Sequence, residues 1–197
     1  MVDSAEPLRD RDVVRKLQQG DLEALGTLYD RHRQMVFRTA LAITTDDEAA
    51  ADLLQDVFLR LHRFADRIDP DRPLEPWLYR MTANLSYTWM KRRSLWLRAL
   101  REMGEWLARE RRPTPQHFAE LDESWQQVRH ALASLPLQQR IVVVLYYLND
   151  LPVHQIAEIL GIPAGTVKSR LHYGRRALKA RLGVREELLP ETYYEYT

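Results

Sequence analysis

Apolar residues recur at three- and four-residue spacing along almost the whole chain, the period of amphipathic helices rather than strands. Ala49, Leu53, Val57 and Leu61 form one such stripe. Thr45-Asp-Asp-Glu48 ahead of them fits a capping box, which predicts a helix from there to about Phe64. The stretch Ile68-Asp-Pro-Asp-Arg-Pro-Leu-Glu-Pro76 cannot be helical, because proline lacks an amide donor and restricts the residue before it. Pro76 suits a first helical position. Leu78, Met81, Leu85 and Trp89 then make a core stripe for a helix reaching at least Arg93, with Trp77 and Trp89 expected in the core. A further stripe of Trp96, Leu100, Met103 and Leu107 continues until Arg111-Arg-Pro-Thr-Pro115 breaks the chain. That stripe is too apolar for an exposed tether and is expected to pack between two domains.

These breaks suggest an N-terminal domain at 1–93, a linker at 94–121, a second domain at 122–184 and a tail at 185–197. Asp122 is the expected N-cap of the second domain. Ile141-Val-Val-Val144 has strand propensity, but the Ser134-Leu-Pro136 start and the unbroken run to Leu148 predict helix. The expected fold is all-α: two small helical domains joined by a partly helical linker, the second a four-helix domain with a helix-turn-helix.

The helix-turn-helix is the most specific local pattern. Val153, Ile156, Ala157 and Leu160 share one face of a short helix, Gly161 follows as a left-handed cap, and Ile162-Pro163 turns the chain. A second helix turns Val167, Leu171, Leu178 and Leu182 inward. Its other face carries Lys168, Ser169, Arg170, His172, Tyr173, Arg175, Arg176 and Lys179, as insertion into a DNA major groove requires. On the Pro76 helix, Arg80, Asn84, Thr88 and Lys91 recur by turns on one polar face, with Tyr79, Tyr87 and Arg92 nearby. Aromatic groups beside a basic helix can stack unpaired bases while cations track phosphates.

Composition narrows the chemistry. The 197 residues contain no cysteine, which excludes disulfides, thiolate nucleophiles and cysteine-ligated metals. The six histidines form no i, i+4 ligand pair and no nucleophile–base motif is visible, so neither catalysis, a metal nor a cofactor is expected. No apolar run approaches the roughly 20 residues of a membrane span and no leader is visible, so a cytoplasmic protein is expected. Net charge is only +1, yet it is segregated. Residues 39–59 hold five acids and no Lys or Arg, whereas 163–185 hold seven Lys or Arg and no acid. Residues 91–112 are also basic. Such blocks suit separate surfaces, some for an anion and one for a basic partner.

Together these residues resemble the bacterial extracytoplasmic-function sigma factors, which bring RNA polymerase to promoters. Asp52-Leu-Leu-Gln-Asp-Val-Phe-Leu-Arg-Leu61 is similar to the family's region for the polymerase β′ clamp helices. Trp77-Leu-Tyr-Arg-Met-Thr-Ala-Asn84 with Lys91-Arg-Arg93 is similar to its minus-ten region. Ile156-Ala-Glu-Ile-Leu-Gly161 with Gly165-Thr-Val-Lys-Ser-Arg-Leu171 is similar to its minus-thirty-five helix. The resemblance implies that Asp52, Gln55 and Asp56 face the clamp. Tyr79, Arg80, Asn84, Thr88, Lys91 and Arg92, with the 68–74 loop, would handle the minus-ten strand. Lys168, Ser169, His172 and Tyr173 would lie near minus-thirty-five bases, and Thr166, Arg170, Arg175 and Arg176 would contact phosphates. Implied partners are core polymerase (β and β′), promoter DNA and an anti-sigma factor, with no small-molecule substrate.

Thr88, His62 and Tyr173 depart from the family's usual residues, which bears on promoter preference. A helix-turn-helix regulator acting without polymerase would explain the second domain but leave the acidic helix and the Asn84 face unused. Tight binding to promoter duplex without core enzyme would favour that alternative.

Overall fold

The computed structural model describes residues 9–102 and 123–182, which form helices α1 (Asp10–Gln18), α2 (Leu22–Thr44), α3 (Asp47–Arg63), α4 (Glu75–Glu102), α5 (Glu123–Ala133), α6 (Leu137–Tyr147), α7 (Val153–Leu160) and α8 (Ala164–Leu182). The all-α expectation is correct. A short 3-10 turn at Ala65–Arg67 precedes the proline-rich loop. Among the described residues, no helix is long and apolar enough to cross a membrane.

Local chemistry sets the helix boundaries. α1 begins with Asp10 and Asp12 and ends with Arg15 and Lys16, charges that complement its dipole. Gly20 turns the chain at φ 90, and the Asp21 carboxylate accepts the Glu23 amide to open α2. The cap of α3 differs by one residue from the expected box. α2 runs as far as Thr44, so Thr45 serves as its left-handed C-cap, donating its amide to Leu41 O at 2.7 Å. Asp46 therefore takes the N-cap role, accepting the Ala49 amide at 3.0 Å. Pro76 lies in the first turn of α4, where its missing donor costs nothing.

The first core gathers Val13, Val14 and Leu17 of α1 with Leu28 and Val36 of α2, Leu53, Val57 and Leu61 of α3, and Leu78 and Leu85 of α4. Trp77 and Trp89 pack against it, as expected. A second core joins Leu132, Val142, Leu145, Ile156, Ile159, Val167 and Leu171 of α5–α8 with Leu135 between α5 and α6. Ile141 to Val144 are helical and buried, so burial outweighs their β-branched preference. On α7 the most buried residues are Ile156 and Ile159; Val153, Ala157 and Leu160 of the expected stripe are only half-buried.

The second core also includes Ala42, Ile43, Tyr79 and Ala83, so the two helical groups pack directly on one another. α2 and α4 contribute these residues from faces turned away from the first core. α4 continues without a break to Glu102, inside the stretch expected to be a partly helical linker. The expected packing between domains fails at Trp96, which is 52% exposed. Residues 94–99, beyond the first domain, are exposed. The Leu100 side chain, Met103, Leu107, the Asp122 cap and the 185–197 tail lie outside the described residues.

Candidate nucleic-acid interface

Gly161 ends α7 at φ 64, a conformation glycine adopts without a Cβ penalty, and the following turn delivers α8 across it. Val167, Leu171 and Gly174 face inward. Lys168, Ser169, His172, Tyr173 and Arg176 are exposed on the opposite face, with Thr166, Arg170 and Arg175 half-buried at its margins. Tyr173 is 57% exposed. Its ring meets His172 edge-on at 5.4 Å, so the two present a joint aromatic surface. Arg170 donates to Gln138 Oε1 at 2.8 Å, which ties α8 to α6 as well as presenting a cation.

The polar face of α4 divides into two parts. Asn84, Thr88, Lys91 and Arg92 are exposed. Thr88 Oγ1 donates back to Asn84 O at 2.8 Å, and Lys91 lies over the Tyr87 ring at 5.5 Å. Tyr79 and Arg80, one helical turn earlier, are engaged by the second helical group. Tyr79 is 9% exposed and packs in the second core. Burial pushes its phenol above the ordinary 10.0, against the opposing effect of a hydrogen bond with Asn149. The Arg80 guanidinium donates to Glu158 O at 2.7 Å and Ile159 O at 3.0 Å.

On α3, Asp52, Gln55 and Asp56 lie together on an exposed face. Leu59, one turn on, is 63% exposed. A reading based on polar residues alone overlooked it, although its spacing from Gln55 and Asp56 places it on the same face. The acidic block is therefore heterogeneous. Asp46 pairs with Arg93 at 2.6 Å and Asp47 with Arg129 at 2.8 Å, so those two carboxylates serve the fold.

Among the described residues, Asp10, His32 and Glu75 bring potential ligand atoms within 4.8 Å of one another across three helices. Sequence spacing could not reveal this, since the three are far apart in the chain. The Asp10 carboxylate already meets Arg31 at 2.7 Å and His32 at 2.6 Å. The guanidinium opposes a cation there, and the group fastens α1 to α2.

Comparison with known proteins aligns with this geometry. Residues 28–95 match Sigma-70 region 2 and residues 125–178 match Sigma-70, region 4. The ECF RNA polymerase sigma factor SigL of Mycobacterium tuberculosis is 36% identical over 157 residues, covering 79% of this chain and 86% of that protein. SigW of Bacillus subtilis is 28% identical over 176 residues, covering 86% and 94%. Among solved structures, CnrH in complex with the cytosolic domain of CnrY superposes with a TM-score of 0.65 at 26% identity, covering 88% of this chain and 97% of that one. The sigma factor RpoE of Bartonella quintana, solved with the anti-sigma factor NepR, gives 0.63 at 23% identity over 86% of this chain and 99% of its own, a likeness of fold. The exposed α3 face falls within the first matched region and the basic α8 face within the second; the chain belongs to the extracytoplasmic-function family of RNA polymerase sigma factors, the proteins that direct polymerase to promoters and start transcription.

Proposed function

We propose that this sigma factor assigns its three tasks to three helices. The α3 face of Asp52, Gln55 and Asp56 holds the β′ clamp helices, with charge-assisted contacts to a basic surface. Arg80, Asn84, Thr88, Lys91 and Arg92 on α4 handle the unpaired minus-ten strand. On α8, Lys168, Ser169, His172 and Tyr173 meet minus-thirty-five bases, while Thr166, Arg170, Arg175 and Arg176 meet phosphates. The 1–93 and 122–184 domains thus engage polymerase with the minus-ten element and the minus-thirty-five element respectively. The protein works in the cytoplasm without catalysing a reaction of its own. An anti-sigma partner belongs to the same reading, since the structural neighbour RpoE was solved with the anti-sigma factor NepR.

The observation that carries this reading is the placement of those residues on exposed faces of the helices that match regions 2 and 4. The test is a pull-down of core polymerase by Gln55→Ala/Asp56→Ala. Both side chains are exposed, so the fold should keep its wild-type circular dichroism. Each lost contact should cost about 1.5–3 kcal/mol of binding. Undiminished retention of core enzyme would remove the clamp assignment.

A further inference from the structure

Among the described residues of α5–α8, Tyr173 is the one large hydrophobic side chain left exposed. It stands in the middle of the α8 face, with Lys168 and Ser169 a turn before it and Arg176 most of a turn after it. Its ring meets that of His172 at an interplanar angle of 77°, an edge-to-face contact that limits where either ring can swing. The next residue, Gly174, is buried against Val143 of α6, so the backbone beneath the pair is held in place. A rigid element thus presents an aromatic surface where DNA is expected.

The guanidinium groups nearby are placed differently. Arg170 is half-buried and occupied with Gln138 Oε1. Arg176 lies further toward the C-terminus, whereas the N-terminal residues of a recognition helix are the ones that reach base edges. In the major groove a guanine offers two acceptors, which suit a guanidinium, while a thymine offers one acceptor and a C5 methyl group. A tyrosine ring cannot form the fork of hydrogen bonds that marks guanine, but its carbon atoms can cover a methyl group.

We propose that Tyr173, steadied by His172, is a specificity residue that reads the C5 methyl group of a thymine in the minus-thirty-five element. The inference rests on the assignment of α8 to that element and adds the chemical group that is read. Contact between ring and methyl removes apolar surface of both from water. The tyrosine hydroxyl can stay hydrated while the ring carbons are covered, which suits a wet groove. His172 is a positioning residue in this respect, because it narrows the range of ring orientations that Tyr173 can adopt.

Deoxyuridine provides the test, since it pairs with adenine as thymidine does and lacks only the methyl group. Holoenzyme assembled from core polymerase and the full-length protein selects promoter duplexes from a randomised library. In a selected duplex, each thymine of the minus-thirty-five element, on either strand, is replaced singly by uracil and binding is measured again. At one position or two neighbouring ones the replacement should weaken wild-type binding about fourfold, the effect of one methyl group returned to water. The factor should be the same at low and high salt, because no phosphate contact is involved. Tyr173→Phe should keep the methyl effect, His172→Ala should diminish it and Tyr173→Ala should abolish it. Both positions are exposed, so unchanged circular dichroism and core binding are expected of all three variants. Uracil tolerated at every position would overturn the proposal. So would a uracil penalty that persists in full in Tyr173→Ala, since that penalty would come from the stiffness of the DNA rather than from contact. Selection of no duplex by the holoenzyme would fail the sigma assignment and this inference together, whereas selected promoters indifferent to the methyl group would overturn this inference alone.

Discussion

Gly174 lies against Val143 so closely that a Cβ added to it would sit 2.7 Å from Val143 Cγ2. The contact lets α8 approach α6 and sets the position of the basic face on the other side of the helix. Gly174→Ala should destabilise the protein by about 1–3 kcal/mol, even though alanine is the better helix former by about 1 kcal/mol. Valine cannot swing its methyl aside freely, because its χ1 is restricted. Val143→Ala should recover part of the loss in the double variant. Urea denaturation of the four proteins in the cycle measures the coupling, and additive effects would show that the close approach is relieved elsewhere.

Asn84 offers a donor and an acceptor to a base edge from an exposed helical position. Asn84→Ala should leave polymerase binding and closed-complex formation intact but lower open-complex formation by about tenfold or more, the effect of losing a contact of 1–3 kcal/mol. A pre-melted template should recover much of the loss by removing the unstacking cost. Permanganate footprinting on duplex and bubble templates reads both quantities.

On α8, positioning and specificity should separate by residue. Arg176→Ala should weaken binding to all sequences alike and lower the salt slope by roughly one unit. Lys168→Ala or Tyr173→Ala should instead alter which minus-thirty-five bases are preferred. Binding selections at several salt concentrations distinguish these outcomes. Loss of affinity without a change of preferred site in either of the latter variants would place the base contacts elsewhere.

Asp10 gives the α1–α2 contact a defined acid dependence. Burial pushes its carboxyl up, but Arg31 and His32 together outweigh burial and hold it below the ordinary 3.8. A depressed folded value means that its stabilisation is whole above 3.8 and is lost as pH falls through the lowered value. Asp10→Asn should therefore lower the urea midpoint at neutral pH, and its difference from wild type should shrink as pH falls below 3.8. Denaturation curves at a series of pH values check the sign.

Much of this arrangement was legible in the spacing of side chains. The stripes on α3 and α4, the proline break, the glycine cap of α7 and the exposed α8 face all follow from periodicity and local backbone preference. The packing of one domain on the other was not. Ala42 and Ala83 look like ordinary helix residues, and Gly174 looks only like a weak point in a helix. The partners of Arg80, Arg129 and Arg140 include main-chain carbonyls, which leave no complementary charge in the sequence. The burial of Tyr79 was hidden for the same reason: its neighbour Asn149 lies far along the chain, and the distance between them is a tertiary fact.

The carbonyl acceptors have a consequence for how the protein can change. Every amino acid, proline included, keeps its main-chain oxygen, so substitutions at Ile43, Thr45, Glu158 or Ile159 alter packing without deleting an acceptor. Arg80, Arg129 and Arg140 have no such protection, since one codon change removes a whole guanidinium. Genetic variation can thus delete these hydrogen bonds only from the donor side. Loss of Arg129 or Arg140 should loosen the packing of the two helical groups, whereas substitution of the exposed Glu158 should be nearly silent.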